Sequence, residues 1–301
     1  MSFIDKALEK ARQLTARESP PAEGPRPETE PPLPPPGTPV GEIRYTVTRT
    51  VPVDREWLRR HRVITPGEHD PVLEAYKLLR TQILQRTRPE GKNLLMVTGP
   101  QPGEGKTLTA VNLAVSLSRE VDTTVLLVDA DLRSPSVHTL FGLRPEGGLA
   151  NYLRGERTIP ELLLHPEGFP RFVLLPGGRP VAEAAELVSS PMMAALVQEL
   201  KHYYPDRYVI FDLPPLLPYA DALAFAPRAD GIILVVEQGR TTREDLARSL
   251  ELLKDFPVLG TVLNKATEEP GGYYYPAAGR ASGKGDGRSW WAGLKERLGL
   301  A

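Results

Sequence analysis

The strongest constraint on this chain is a junction: the apolar run Leu94-Leu95-Met96-Val97-Thr98 passes into Gly99-Pro100-Gln101-Pro102-Gly103-Glu104-Gly105-Lys106-Thr107, and a helical pattern follows at once. Glycines at such a turn let backbone N–H groups approach an anion, and the helix N-terminus adds the positive end of its dipole. Lys106 is spaced to reach outer phosphates, and Thr107 to offer a hydroxyl to Mg2+. Glu104 and Leu108 complete the stretch expected to line a nucleotide. The strict form of this phosphate-binding loop has glycine at position 100, where Pro100 stands; Gly103, Gly105 and Lys106, the parts nearest the phosphates, are in place.

Five further apolar runs, Thr124–Val128, Arg171–Leu175, Tyr208–Phe211, Gly231–Val236 and Val258–Leu263, alternate with helical patterns such as Thr107–Arg119, Pro191–Tyr203 and Thr242–Leu253. Strands that are apolar throughout are covered on both faces. The pattern predicts an α/β fold over residues 70–266, a doubly wound, mostly parallel sheet with helices on both faces. In such a sheet, ligands collect where strands end. Strand 124–128 ends in Asp129-Ala130-Asp131-Leu132-Arg133, and strand 208–211 in Asp212. An Asp-x-Asp after a strand is often only a turn or a helix cap. Beside a phosphate loop, Asp129, Asp131 and Asp212 are candidates to hold Mg2+ or to accept a proton from an attacking hydroxyl, with Arg133 as a further nucleotide contact.

Outside this region the composition changes. Residues 1–17 read as a short amphipathic helix, with Phe3, Ile4, Ala7, Leu8, Ala11 and Leu14 at helical spacing. Residues 18–42 hold ten of the 32 prolines and read as an extended, disordered linker. Residues 43–69 form a lead-in whose structure the sequence leaves open, and residues 267–301 form a Gly-rich tail expected to be flexible. That tail carries Tyr273, Tyr274 and Tyr275 and closes on Trp290, Trp291, Leu294 and Leu298, a candidate short helix.

The 301 residues include no cysteine, which excludes a disulfide scaffold, a thiolate-ligated metal and a cysteine nucleophile. A formal charge of −1 gives no global reason to expect nucleic acid as a partner. No purely apolar run, Ile232 to Val236 included, comes near the ~20 residues of a membrane span, so a cytoplasmic location is expected.

These motifs resemble the bacterial tyrosine kinases, P-loop autokinases that control exopolysaccharide synthesis, and especially their cytoplasmic form from exosortase-type loci. The resemblance covers residues 70–265: the loop 102–107, the run 125–136, the run 208–216 and Ala220-Asp221-Ala222; Met1–Lys10 also matches that form. It implies a MinD/ParA-like P-loop fold, ATP and Mg2+ as cofactors, with Lys106 and Thr107 as their contacts. It also implies metal and proton-transfer roles for Asp129, Asp131 and Asp212; which of Asp129 and Asp131 is the base stays open.

The tail tyrosines Tyr273–Tyr275 become phosphoacceptors by the same resemblance. Glu74, Lys77 and Arg80, at i, i+3 and i+6 of a predicted helix 72–84, become an interface through which subunits build rings. A membrane polysaccharide copolymerase would activate the kinase in trans, holding it peripherally at the inner membrane, and a tyrosine phosphatase would reverse the reaction.

Partitioning and division-site ATPases, the related alternative, carry a second lysine in the loop where this chain has Gln101. Guanine recognition would want Asn-Lys-x-Asp, whereas Asn264-Lys265-Ala266 is followed by Thr267, so adenine is expected, with Asn264 as a base contact. The competing functions are an ATP-gated positioning module that modifies no protein, and a scaffold that binds ATP without turnover.

Overall fold

The computed structural model describes residues 48–65, 71–203 and 207–267. The readings made for residues 1–17, 18–42, Tyr273–Tyr275 and Trp290–Leu298 lie outside the described residues. Eight strands among the described residues form one sheet: β1 (Arg49–Val51), β2 (Leu94–Thr98), β3 (Thr124–Asp129), β4 (Leu164–Pro166), β5 (Phe172–Leu175), β6 (Arg207–Asp212), β7 (Gly231–Glu237) and β8 (Val258–Asn264). Their order is β1-β4-β5-β3-β6-β2-β7-β8. Every pairing is parallel except β4 with β5.

The six strands expected from apolar runs are all present within one or two residues of their predicted ends. Alternate residues feed opposite faces: Leu94 and Met96 of β2 join one apolar cluster with Leu126 and Val128 of β3, while Leu95 and Val97 join another with Val125 and Leu127. Both faces are therefore closed to water, as a sheet woven by helical crossovers requires.

The main covering helices are α1 (Arg55–Arg60), α2 (Pro71–Thr87), α3 (Lys106–Leu117), α4 (Val137–Leu140), α5 (Leu149–Leu153), α6 (Ile159–Leu162), α7 (Ala184–Ser189), α8 (Pro191–Tyr203), α9 (Asp221–Phe225) and α10 (Arg243–Leu252). Helix α3 begins at Lys106 and is buried along almost its whole length. Its first turn is thereby fixed beneath the phosphate loop.

The lead-in that the sequence left open is part of this fold from residue 48. Strand β1 adds to the sheet edge beside β4, and Asp54 caps α1 by accepting the Glu56 N–H at 2.8 Å. Leu58, Val63 and Ile64 enter the core. The buried Asn112 of α3 secures them, accepting from Ile64 N at 3.0 Å and donating to Arg62 O at 3.0 Å. The Ile64 bond is buried away from water, so the segment and α3 hold one another in place.

Candidate active site

Strands β3, β6, β2, β7 and β8 are neighbours in that order, and their C-terminal ends present Asp129, Asp212, the phosphate loop, Glu237 and Asn264 along one rim. The rim is where a doubly wound sheet gathers its ligands. The loop itself needs glycine at two places. At Gly99 a Cβ would collide with the Val235 carbonyl and the Glu104 carboxylate, and at Gly105, which has φ 90°, it would collide with the Asn264 amide.

Lys106 is buried, with Nζ donating to the Gln101 carbonyl at 2.8 Å across the loop. Burial holds its pKa below the usual lysine range; Asp212, Glu104 and Asp131 oppose the shift, and Arg240 adds to it. Thr107 and Leu108 follow on the first turn of α3, both half-buried.

Asp129 and Asp212 are directly paired in register across β3 and β6, and both are fully buried. Asp129 Oδ2 accepts the backbone N–H groups of Ser136 at 2.9 Å and Val137 at 3.0 Å, while its Oδ1 has no partner among the described residues. Neither oxygen of Asp212 has a hydrogen bond of good geometry, although the Thr107 hydroxyl is close enough to lower its pKa. Burial dominates there, pushing Asp212 up to about 7, and it raises Asp129 as well, with the Asp212 charge as the next cause.

Three orphaned carboxylate oxygens in a dry site fit a hard divalent cation, which would supply the charge the protein withholds. No group of three or more acidic or histidine ligands is assembled among the described residues. An Mg2+ shared with phosphates needs only one or two carboxylates, so Asp129, Asp212 and the Thr107 hydroxyl suffice.

Asp131 differs from this pair. It is half-buried, its Oδ1 accepts the Ser134 N–H at 3.0 Å, and burial is the main cause of its raised pKa, with Lys106 opposing. Arg133 leans the same way along the rim. Its Nε donates to both Asp221 oxygens at 3.1 and 3.0 Å, and its guanidinium lies 4.7 Å from the Tyr219 ring centroid. Asp221 is 1% exposed, so Arg133 is aimed by a buried carboxylate 88 residues away in sequence.

Two expected contacts turn out to serve the loop itself. The Glu104 side chain points inward and is fully buried: Oε2 accepts Gln101 N at 2.8 Å and Oε1 accepts the Thr241 hydroxyl at 2.6 Å. Only its backbone is left for a phosphate. Asn264 donates through Nδ2 to the Glu104 carbonyl at 2.8 Å, and Lys265 through Nζ to the Gly103 carbonyl at 2.8 Å. Lys265 also pairs with Glu237 at 2.9 Å and takes a left-handed backbone, φ 53°, to do so.

The expected interface triplet also divides. Lys77 pairs with Glu74 at 2.6 Å on the surface of α2, whereas Arg80 turns inward. Its guanidinium donates to the Ser116 carbonyl at 2.9 Å and pairs with Glu120 at 2.9 Å, clamping α2 to the end of α3.

Residues 95–273 match the model of the CobQ/CobB/MinD/ParA nucleotide-binding domain. The chain is 37% identical over 193 residues to the tyrosine-protein kinase YwqD of Bacillus subtilis (strain 168), covering 64% of this chain and 80% of that one. It is 32% identical over 221 residues to the succinoglycan biosynthesis transport protein ExoP of Rhizobium meliloti (strain 1021), 72% of this chain but 28% of that longer protein. The kinase domain of the Escherichia coli tyrosine kinase ETK superposes with a TM-score of 0.60 at 26% identity, covering 75% of this chain and 94% of the domain. The family model matches more than half of the chain and the kinase YwqD is covered over most of its length, so the chain belongs to the bacterial tyrosine kinases built on the CobQ/CobB/MinD/ParA nucleotide-binding domain.

Proposed function

We propose that this chain is an ATP- and Mg2+-dependent protein-tyrosine kinase that phosphorylates its own tail at Tyr273, Tyr274 and Tyr275. The observation that carries the reading is the buried pair Asp129 and Asp212, three of whose oxygens are unpartnered beside Lys106. The match to the named tyrosine kinases supports phosphoryl transfer over a positioning module.

The loop N–H groups and Lys106 bind and orient the triphosphate, and Asn264 lies beside the loop where adenine is expected. Thr107, Asp129 and Asp212 would hold Mg2+, which would supply the positive charge that the transferring phosphoryl group requires. Asp131 takes the proton from the acceptor Oη. Its partial exposure supports that assignment over Asp129, whose buried carboxylate is engaged by two N–H groups.

The reading extends to a ring of subunits, so that a tail enters a neighbour's site, with Glu74 and Lys77 on the exposed surface of α2 available to the contact. It also includes a membrane copolymerase as activator, a phosphatase that resets the tail, and regulation of polysaccharide synthesis, in keeping with the name of the Rhizobium relative. Among the described residues no helix is long and apolar enough to cross a membrane, so contact with the inner membrane would run through that partner. Mass-spectrometric phosphosite mapping after incubation with Mg2+ and ATP, beside Lys106→Met, tests the proposal. Phosphate on Tyr273–Tyr275 that vanishes in Lys106→Met is expected; ATP hydrolysis with an unmodified tail, even with the copolymerase present, would overturn it.

A further inference from the structure

The segment Gln238–Thr242, which links β7 to α10, touches the phosphate loop on the side opposite the carboxylates. Nothing in the loop's sequence pattern calls for this contact. It is fixed by three bonds: Thr241 donates to Glu104, Glu237 N donates to the Thr241 hydroxyl at 2.8 Å, and the Arg240 N–H closes a turn on the Glu237 carbonyl at 3.3 Å. The turn delivers the Arg240 guanidinium to the crest of the loop. Its Nη1 lies 2.8 Å from where a Gly103 Cβ would stand, and 3.2 Å from Glu237 Oε2. Glu237 is thus shared by two cations, Arg240 and Lys265, both of which reach Gly103.

We infer that Arg240 is a phosphate-contacting residue acting from within its own chain, held ready by Glu237 and directed at the outermost phosphate of the bound nucleotide. The inference rests on the nucleotide site proposed above. Gly103 lies at the opposite end of the loop from Thr107 and Leu108, on the side of the outer phosphates. Only one guanidinium donor is engaged among the described residues, leaving the planar fork free for bidentate phosphate contact. The position also bears on Gln101: where related ATPases carry a second lysine in the loop, this chain brings a cation to the loop from the neighbouring strand's connection. Glu237 holds the arginine near the loop in advance, so less side-chain freedom is lost on binding. Released from one carboxylate, the guanidinium exchanges it for a phosphate of the same charge sign, an exchange that costs little in desolvation.

Calorimetric titration of the full chain with Mg2+ plus ADP and with Mg2+ plus a non-hydrolysable ATP analogue tests this in wild type, Arg240→Gln, Arg240→Lys and Lys106→Met. The side chain is half-exposed, so the Arg240 variants are expected to fold, which their melting temperatures check. Arg240→Gln should lose about tenfold in affinity for the triphosphate analogue and no more than about threefold for ADP, with Arg240→Lys recovering part of the loss. Equal losses for the two nucleotides, or none, would overturn the assignment. If Lys106→Met binds both like wild type, the nucleotide-site reading itself fails and takes this inference with it. If Lys106→Met fails to bind while Arg240→Gln is silent, the inference alone fails.

Discussion

The two flanks of the phosphate loop obey opposite rules. On the β3 and β6 flank, Asp129 and Asp212 are buried with unmet oxygens, and no described residue neutralises them fully. On the β7 and β8 flank every charge has an answer: Glu104 with Gln101 and Thr241, Glu237 with Arg240 and Lys265, Asn264 with the loop carbonyl. One flank is a cost carried by the folded protein until a cation arrives; the other is framework that sets the loop's shape. Among the buried carboxylates, satisfaction of hydrogen bonds separates those that wait for a cation from the one that shapes the loop.

The largest effect expected from breaking this contrast is at Asp212. Asp212→Asn should lower phosphotyrosine formation by roughly a thousandfold, because a metal ligand is gone, yet should raise the melting temperature of the metal-free protein at pH 8. A variant that loses both activity and stability would place Asp212 with the framework instead. Glu104→Ala tests the other flank and should cost about 3 kcal/mol in urea unfolding, since Gln101 N and the Thr241 hydroxyl lose their buried acceptor. Unchanged stability there would erase the distinction.

Proton linkage sharpens it further. Asp212 stands at about 7 in the folded chain, above the ~3.9 of an unfolded aspartate. Protonation favours the folded form, so this contribution is complete below the unfolded value and is lost as pH rises through 7. Asp129 moves in the same direction. The metal-free protein should therefore weaken between about pH 4 and 7, and the melting-temperature gain from Mg2+ with ADP should grow over that window; a gain that shrinks would contradict the cation site. The smallest effects belong to α2, where Arg80→Ala should cost about 1–2 kcal/mol and Lys77→Ala under about 0.5 kcal/mol in the same unfolding measurement. If subunit assembly, followed by light scattering, responds to Lys77→Ala more than folding does, the exposed pair is part of an interface.

Much of this was legible in the sequence for one reason: long buried strands and a ligand-binding rim are written locally. Six strands announced themselves as apolar runs, and Asp129, Asp131 and Asp212 were found by standing just after them. The three-residue strands β1 and β4 left no periodic signal, and β4 ends in Pro166, a residue that argues against a strand. What the sequence hid were partners distant along the chain. Glu104 meets Thr241 across 137 residues, Asn264 reaches the loop across 160, and Arg80 looked like an exposed charge until α3 was packed beside it. Arg240 sits in no sequence motif, and the pairing of Asp221 with Arg133 across 88 residues shows only in the fold.

The anchoring of Asn264 and Lys265 on the phosphate loop has a kinetic corollary. The last described residue, Thr267, is tied to the rim through its N–H to Gln238 Oε1 at 2.9 Å. Tyr273 follows six residues later, a leash of at most about 22 Å. A site within that reach would meet the tyrosine at an effective concentration in the millimolar range or above. Within an assembled ring, transfer to the first tyrosine should therefore be first order in protein, with a rate constant unchanged by dilution, turning second order only at dilutions where subunits part.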